Sequence, residues 1–197
     1  MRVAVFDYGA GNLHSLLKGL ALAGVAPVVE PDPVALSRAD VIVLPGVGAF
    51  GAAAARLAPG REAVRAALAA GRPALGICLG LHLLFEGSAE GTGAGLGIMG
   101  GRVVPLEAMT VPQMGWNALD EARDPLLVDS AMTLAYYANG YVARPDDPAV
   151  VTAWSTHEAC RFPAAVRLAN TIGVQFHPEK SSAAGVRFLA KFLETTR

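Results

Sequence analysis

Short unbroken apolar runs, separated by stretches of helical period, set the organisation of this chain. Val3–Phe6 and Val41–Leu44 carry no polar residue, as strands buried on both faces do. A third run, Ala74-Leu75-Gly76-Ile77, leads into Cys78 and an apolar, helix-compatible segment ending at Leu84. Between the strands, Leu13, Leu16, Leu17 and Leu20 recur at helical spacing and Gly24 closes the helix. Glu62 to Ala70 reads as a surface helix stopped by Gly71. Strands alternating with helices predict a parallel sheet with right-handed crossovers. Beyond Arg102 the pattern shortens to the strand-like runs 102–106, 133–143, 150–155, 165–168 and 171–176. These are expected to add antiparallel strands to one edge of the sheet. Ser181 or Ser182 is expected to cap a last helix that buries Val186, Leu189, Ala190 and Leu193. No linker or repeat interrupts the pattern. The expectation is one α/β domain over 1–197, an open, doubly wound, mostly parallel, flavodoxin-like sheet with added antiparallel edge strands.

Composition narrows the class. Apolar residues make up 53% of the 197, yet no run of about eighteen exists to span a membrane. The N-terminus goes straight into a strand, with no signal-peptide pattern. The two cysteines therefore read as reduced thiols of a cytoplasmic protein. Lysine and arginine number 16 against 17 acidic residues, which gives no footprint for nucleic acid.

The chemistry concentrates at Gly76-Ile77-Cys78-Leu79-Gly80. Strand, tight turn and helix with glycines on either side of a nucleophile form the elbow pattern, with cysteine in place of serine. A thiol nucleophile needs a base and a group that orients the base. A hundred residues on, an apolar run ends in Phe176-His177-Pro178-Glu179. His177 can be the base and Glu179 the orienter, held in a set relation by Pro178. In Pro45-Gly46-Val47-Gly48 two glycines bracket one residue and permit backbone conformations closed to other residues, as a plain tight turn also would. Other readings fail. Gly9-Ala10-Gly11 lacks the third glycine of a dinucleotide fingerprint, which here is His14. The segment from Gly87 to Gly101 holds seven glycines but no phosphate-loop lysine. His14, His82 and His157 lack metal-ligand spacing. No cofactor and no metal are expected.

These residues carry a resemblance. Gly-Ile-Cys-Leu-Gly with Gln-Phe-His-Pro-Glu resembles the triad, class I glutamine amidotransferases. The segments Asp7–Leu13, Leu44–Gly51, Pro112–Asn117 and His177–Ser181 are similar to the glutaminase-subunit branch found in imidazole glycerol phosphate synthases. The resemblance covers essentially the whole chain. It implies hydrolysis of glutamine by Cys78, His177 and Glu179, with an oxyanion held by the Leu79 N–H and the Val47–Gly48 region. It implies a glutamine pocket of Gly46, Gly48, His82, Glu90 and the turn Asn139-Gly140-Tyr141, with Glu90 on the α-ammonium. It implies a (β/α)₈-barrel cyclase partner, in a heterodimer, met by Asn12, Met114, Trp116, Asn117, Tyr136 and Lys180. Two positions depart from the family pattern: His82 stands where glutamine is usual, and Asn139-Gly140 where histidine with serine or threonine is common. A glutaminase serving pyridoxal phosphate synthesis, a free-standing cysteine hydrolase, and a binding-only subunit remain open at this point.

Overall fold

The computed structural model describes residues 1–9 and 13–196. Its first half follows the predicted alternation: β1 (Val3–Phe6), α1 (His14–Leu22), β2 (Val28–Glu30), α2 (Pro33–Leu36), β3 (Val41–Leu44), α3 (Phe50–Leu57), α4 (Arg61–Ala69), β4 (Ala74–Ile77) and α5 (Leu79–His82). The second half is strand-rich: β5 (Gly87–Ser88), β6 (Gly101–Pro105), β7 (Gln113–Ala118), α6 (Pro125–Asp129), β8 (Leu134–Asn139), β9 (Tyr141–Pro145), β10 (Val151–His157), β11 (Cys160–Leu168), β12 (Thr171–Val174) and α7 (Ser182–Glu194).

Seven strands form the main sheet in the order β10-β11-β12-β4-β3-β1-β2. From β12 to β2 every pairing is parallel, and β10 and β11 extend the β12 side antiparallel. The expected fold class therefore holds. Alternate residues of each central strand face opposite cores. Val3 and Val5 join Leu16, Leu20, Phe188 and Leu189 under α1 and α7. Ala4 and Phe6 join Phe50, Leu57, Val64 and Leu68 under α3 and α4. Both faces are covered, which is why these strands are continuously apolar. The sheet places the C-terminal ends of β3, β4 and β12 side by side, where open α/β sheets hold their ligands. Among the described residues no helix is long and apolar enough to cross a membrane.

Five expectations need correction. The run 171–176, expected as an antiparallel edge strand, is β12, which pairs parallel with β4 inside the sheet because its alternate residues face both cores. The run 133–143 is two strands: Gly140 breaks it, and β8 pairs with β7 while β9 pairs with β6. Run 102–106 lies in a separate sheet of order β5-β6-β9 rather than at the main sheet's edge. The last helix is rotated from the predicted face. It buries Phe188 and Phe192 with Leu189 and Leu193, because the two aromatic rings carry more apolar area than Val186 and Ala190. Ser181 precedes that helix without a side-chain capping bond. Its hydroxyl is committed elsewhere, donating to the His177 carbonyl at 2.6 Å and accepting from the Tyr136 N–H at 3.0 Å.

Candidate active site

The turn between β4 and α5 forces Cys78 into φ 46°, ψ −102°, a backbone conformation that an L residue reaches only under strain. The surroundings over-determine it. The Cys78 N–H is tied to the Val174 carbonyl at 2.7 Å and its carbonyl to the His82 N–H at 3.1 Å. Glycine is required beside it: a Cβ on Gly80 would lie 2.0 Å from the Leu44 carbonyl oxygen, and one on Gly76 would lie 2.6 Å from the Gly80 oxygen. The turn thus carries the thiol above the sheet, at the ends of β3 and β12.

His177 follows β12 and is fixed by its N–H to the Tyr136 carbonyl at 2.8 Å. Its Nδ1 lies 2.8 Å from Glu179 Oε1, and both side chains are more than nine-tenths buried. That bond places the proton on Nδ1 and leaves the other nitrogen for Cys78. Burial works against an imidazolium here. The hydrogen bond to Cys78 and that to Glu179, with the charges of both, outweigh it and push the His177 pKa up to about 10. The imidazole is thereby placed to take the thiol proton. The second oxygen of Glu179 is buried without a partner among the described residues.

The thiol opens on a cavity of about 100 Å³ lined by Gly46, Gly48, Cys78, Leu79, His82, Glu90, Ala138, Asn139, Gly140 and Tyr141. The structure thus gathers every pocket residue named from the sequence. Val47 is not in this lining. A Cβ on Gly46 would press to 2.8 Å from the His177 ring and 3.0 Å from Cys78 Cβ, so only glycine lets that loop approach the pair. Gly48 adopts φ 105°. Glu90, also in the lining, is partly buried, and burial raises its carboxyl pKa against a hydrogen bond from the Phe50 backbone. A larger cavity, about 540 Å³, lies near Met1, Asp40 and Arg72 and contains neither nucleophile nor base.

His82 lines the cavity, but its nitrogens do not face it. Nε2 lies 3.1 Å from Gln175 Oε1, and Nδ1 is buried with no partner. Burial lowers its pKa from 6.5 to about 4, against the raising effect of the Gln175 bond. The unfolded chain therefore takes up this proton on acidification before the folded chain does. The contribution to stability is present above pH 6.5 and is lost as pH falls toward 4. The expected loss across that range is on the order of 3 kcal/mol. Urea unfolding at pH 7 and pH 4 checks it: His82→Gln should flatten the decline, and an equal decline in both proteins would contradict this origin. His177 acts in the other window, stabilising below 6.5 and losing its effect as pH rises toward 10.

Of the residues assigned to a partner face, Trp116, Tyr136 and Lys180 converge. Trp116 pairs with Tyr136 across β7 and β8, their rings edge to face at 6.3 Å, and Lys180 Nζ lies 5.7 Å over the Tyr136 ring. Met114 and Trp116 are 64% and 55% exposed, an apolar pair left open to solvent. Asn117 is tied to the Thr156 carbonyl at 2.9 Å. Asn12 lies outside the described residues.

Two residues with a part in this geometry were given no role in the sequence. Tyr8 is buried and donates its hydroxyl to the Pro45 carbonyl at 3.2 Å, bracing the Gly46–Gly48 loop. Gln175 is fully buried between His82 and Cys78. Its sequence signals are its place at the head of Gln-Phe-His-Pro-Glu and its polarity inside the apolar run Val174-Gln175-Phe176.

The chain matches the family model described as glutamine amidotransferase class-I over residues 4–195. It is 45% identical to the imidazole glycerol phosphate synthase subunit HisH of Acaryochloris marina, covering 98% of this chain and 94% of that relative. The subunit of the same name from Nostoc punctiforme is 45% identical over 99% of this chain and 96% of its own. Among solved structures, one described as a glutamine amidotransferase superposes with a TM-score of 0.76 at 17% identity, covering 98% of both chains. PurLQS from Thermotoga maritima gives 0.72 at 18% identity, covering 100% of this chain and 99% of the other. At those identities the structures speak to the fold alone.

Proposed function

The chain belongs to the class-I glutamine amidotransferase family, and from that premise we propose that it is the glutaminase subunit of an imidazole glycerol phosphate synthase. It hydrolyses glutamine to glutamate and ammonia for histidine biosynthesis. The whole chain acts as one amidotransferase domain in the cytoplasm. The ammonia passes to a cyclase subunit of (β/α)₈-barrel type, which makes imidazole glycerol phosphate and aminoimidazole carboxamide ribotide.

The observation that carries this reading is a strained cysteine opening on a narrow polar cavity, with a buried His177–Glu179 pair behind it. Cys78 Sγ attacks the side-chain amide carbon of glutamine. The oxyanion is met by the Leu79 N–H and by one turned in from Val47–Gly48. His177 gives its proton to the departing ammonia, leaving a thioester on Cys78. It then draws a proton from water as that water attacks, and glutamate is released. Glu179 holds the imidazole through Nδ1. Gly46, Gly48, His82, Asn139, Gly140 and Tyr141 wall the side chain of glutamine, and Glu90 faces its α-ammonium. Met114, Trp116, Asn117, Tyr136 and Lys180 form the face that meets the cyclase, with Asn12 assigned there from the sequence.

Mixing the chain with a barrel cyclase subunit and its phosphorylated ribulosyl nucleotide tests this. Glutamate and imidazole glycerol phosphate should form in equal amounts. Glutamate release that ignores the cyclase would favour a free-standing hydrolase. Activity only with a pyridoxal phosphate synthase partner would move the chain to that branch.

A further inference from the structure

The nucleophile has a second polar neighbour besides His177. Gln175 Nε2 lies 3.6 Å from Cys78 Sγ, within reach of an N–H···S hydrogen bond. Gln175 is fully buried, and its other end, Oε1, is held at 3.1 Å by His82 Nε2. The three side chains form one line, His82–Gln175–Cys78, inside the molecule.

The direction of that line follows from the donors available. Oε1 only accepts, so His82 must carry its proton on Nε2. Nδ1 is then a bare lone pair, which matches its position: buried, with no partner among the described residues. Burial keeps this imidazole uncharged at neutral pH. With Oε1 so occupied, the amide can present only its NH₂ end to the sulfur. A donor is needed there. The Ala138 carbonyl oxygen, 3.9 Å from Sγ, accepts from the thiol and opposes negative charge on the sulfur once that proton leaves.

We propose that Gln175 is a positioning residue that donates a hydrogen bond to the Cys78 thiolate, and that His82 locks the Gln175 amide in the donating orientation. This deepens the glutaminase reading and rests on Cys78 being its nucleophile. It gives the departure at position 82 a role behind the thiol, in addition to the wall of the cavity. A glutamine at 82 would also carry a donor for Oε1, so His82→Gln preserves the line while His82→Met breaks it.

The test reads the thiol without any turnover, so it stands apart from the fate of the proposed function. The full chain is alkylated with iodoacetamide at pH 7 and pH 10, and Cys78 is followed by peptide mass spectrometry with Cys160 as internal reference. The other titratable groups around the sulfur, His177 with Glu179, Tyr8, Glu90 and Tyr141, are the same in every variant. In Gln175→Met the rate at pH 7 relative to pH 10 should fall about tenfold, since a hydrogen bond to a charged group is lost. His82→Met should shift the ratio the same way by less, and His82→Gln should restore it. Should Gln175→Met fail to fold, the His82→Met and His82→Gln pair reads the same line. An unchanged ratio in Gln175→Met, or the same ratio in His82→Met and His82→Gln, would overturn the proposal.

Discussion

Cys78→Ala is expected to remove glutamine-dependent synthesis by a factor of about 10⁴ or more, while synthesis driven by added ammonium in the cyclase subunit survives. The size follows from the role: without a nucleophile no thioester forms, and loss of such a residue removes nearly all the chemical acceleration. The ammonium arm separates lost chemistry from lost folding or lost assembly. Cys160→Ala is the matched control. That thiol is also buried, but it contacts Arg144 Nη2 at 3.3 Å and lies outside the cavity lining. It should be nearly silent for catalysis. Retained glutamine-dependent turnover in Cys78→Ala would refute the assignment of the nucleophile.

The next largest effect expected is activation by the partner. The isolated chain should hydrolyse glutamine slowly and gain roughly 10²–10³ in turnover within the complex, the worth of one oxyanion donor. The motivation is the loop of Gly46, Val47 and Gly48. Gly46 lies against Cys78 and His177, and Gly48 at φ 105° can accommodate either orientation of the preceding peptide. A carbonyl turned toward the thiol leaves the oxyanion one donor short. β8 links this site to the exposed Trp116–Tyr136–Lys180 cluster. Along it, the Tyr136 N–H donates to the Ser181 hydroxyl and its carbonyl accepts from the His177 N–H, and the Ala138 carbonyl faces Cys78. A partner seated on that cluster therefore presses on the strand that holds both reacting groups. Turnover should rise from chain alone to chain with cyclase to complex with its nucleotide ligand. Equal turnover in all three would exclude the gate.

How much of this was legible before the structure depended on whether a feature is local in sequence. β1, β3 and β4 are buried on both faces, so their apolar runs announce them. β7 reads Gln-Met-Gly-Trp-Asn-Ala, with alternate residues open to solvent, and carries no such run. β2 has the same difficulty at the sheet edge, with Val28 and Val29 45% and 40% exposed. The break at Gly140 is a matter of which strands find β8 and β9, and that is settled by long-range pairing. At the site, Cys78 is written in its flanking glycines, and His177 with Glu179 in a rigid His-Pro-Glu step. Gln175 is different. Its role depends on the register of β12 with β4, which sets position 175 beside the elbow. Ser181 resembles a helix cap in sequence, yet its hydroxyl serves the His177 turn, donating to that carbonyl and accepting from the Tyr136 N–H, partners that long-range packing brings to it.

The most direct measurement of the central claim follows the amide nitrogen. The reconstituted complex is given glutamine labelled with ¹⁵N at the side-chain amide, the cyclase nucleotide and an excess of unlabelled ammonium. The account predicts that the imidazole glycerol phosphate carries the label, with one glutamate released for each product, and that Cys78→Ala yields only unlabelled product. Product matching the bulk ammonium pool in the unmodified complex would contradict it.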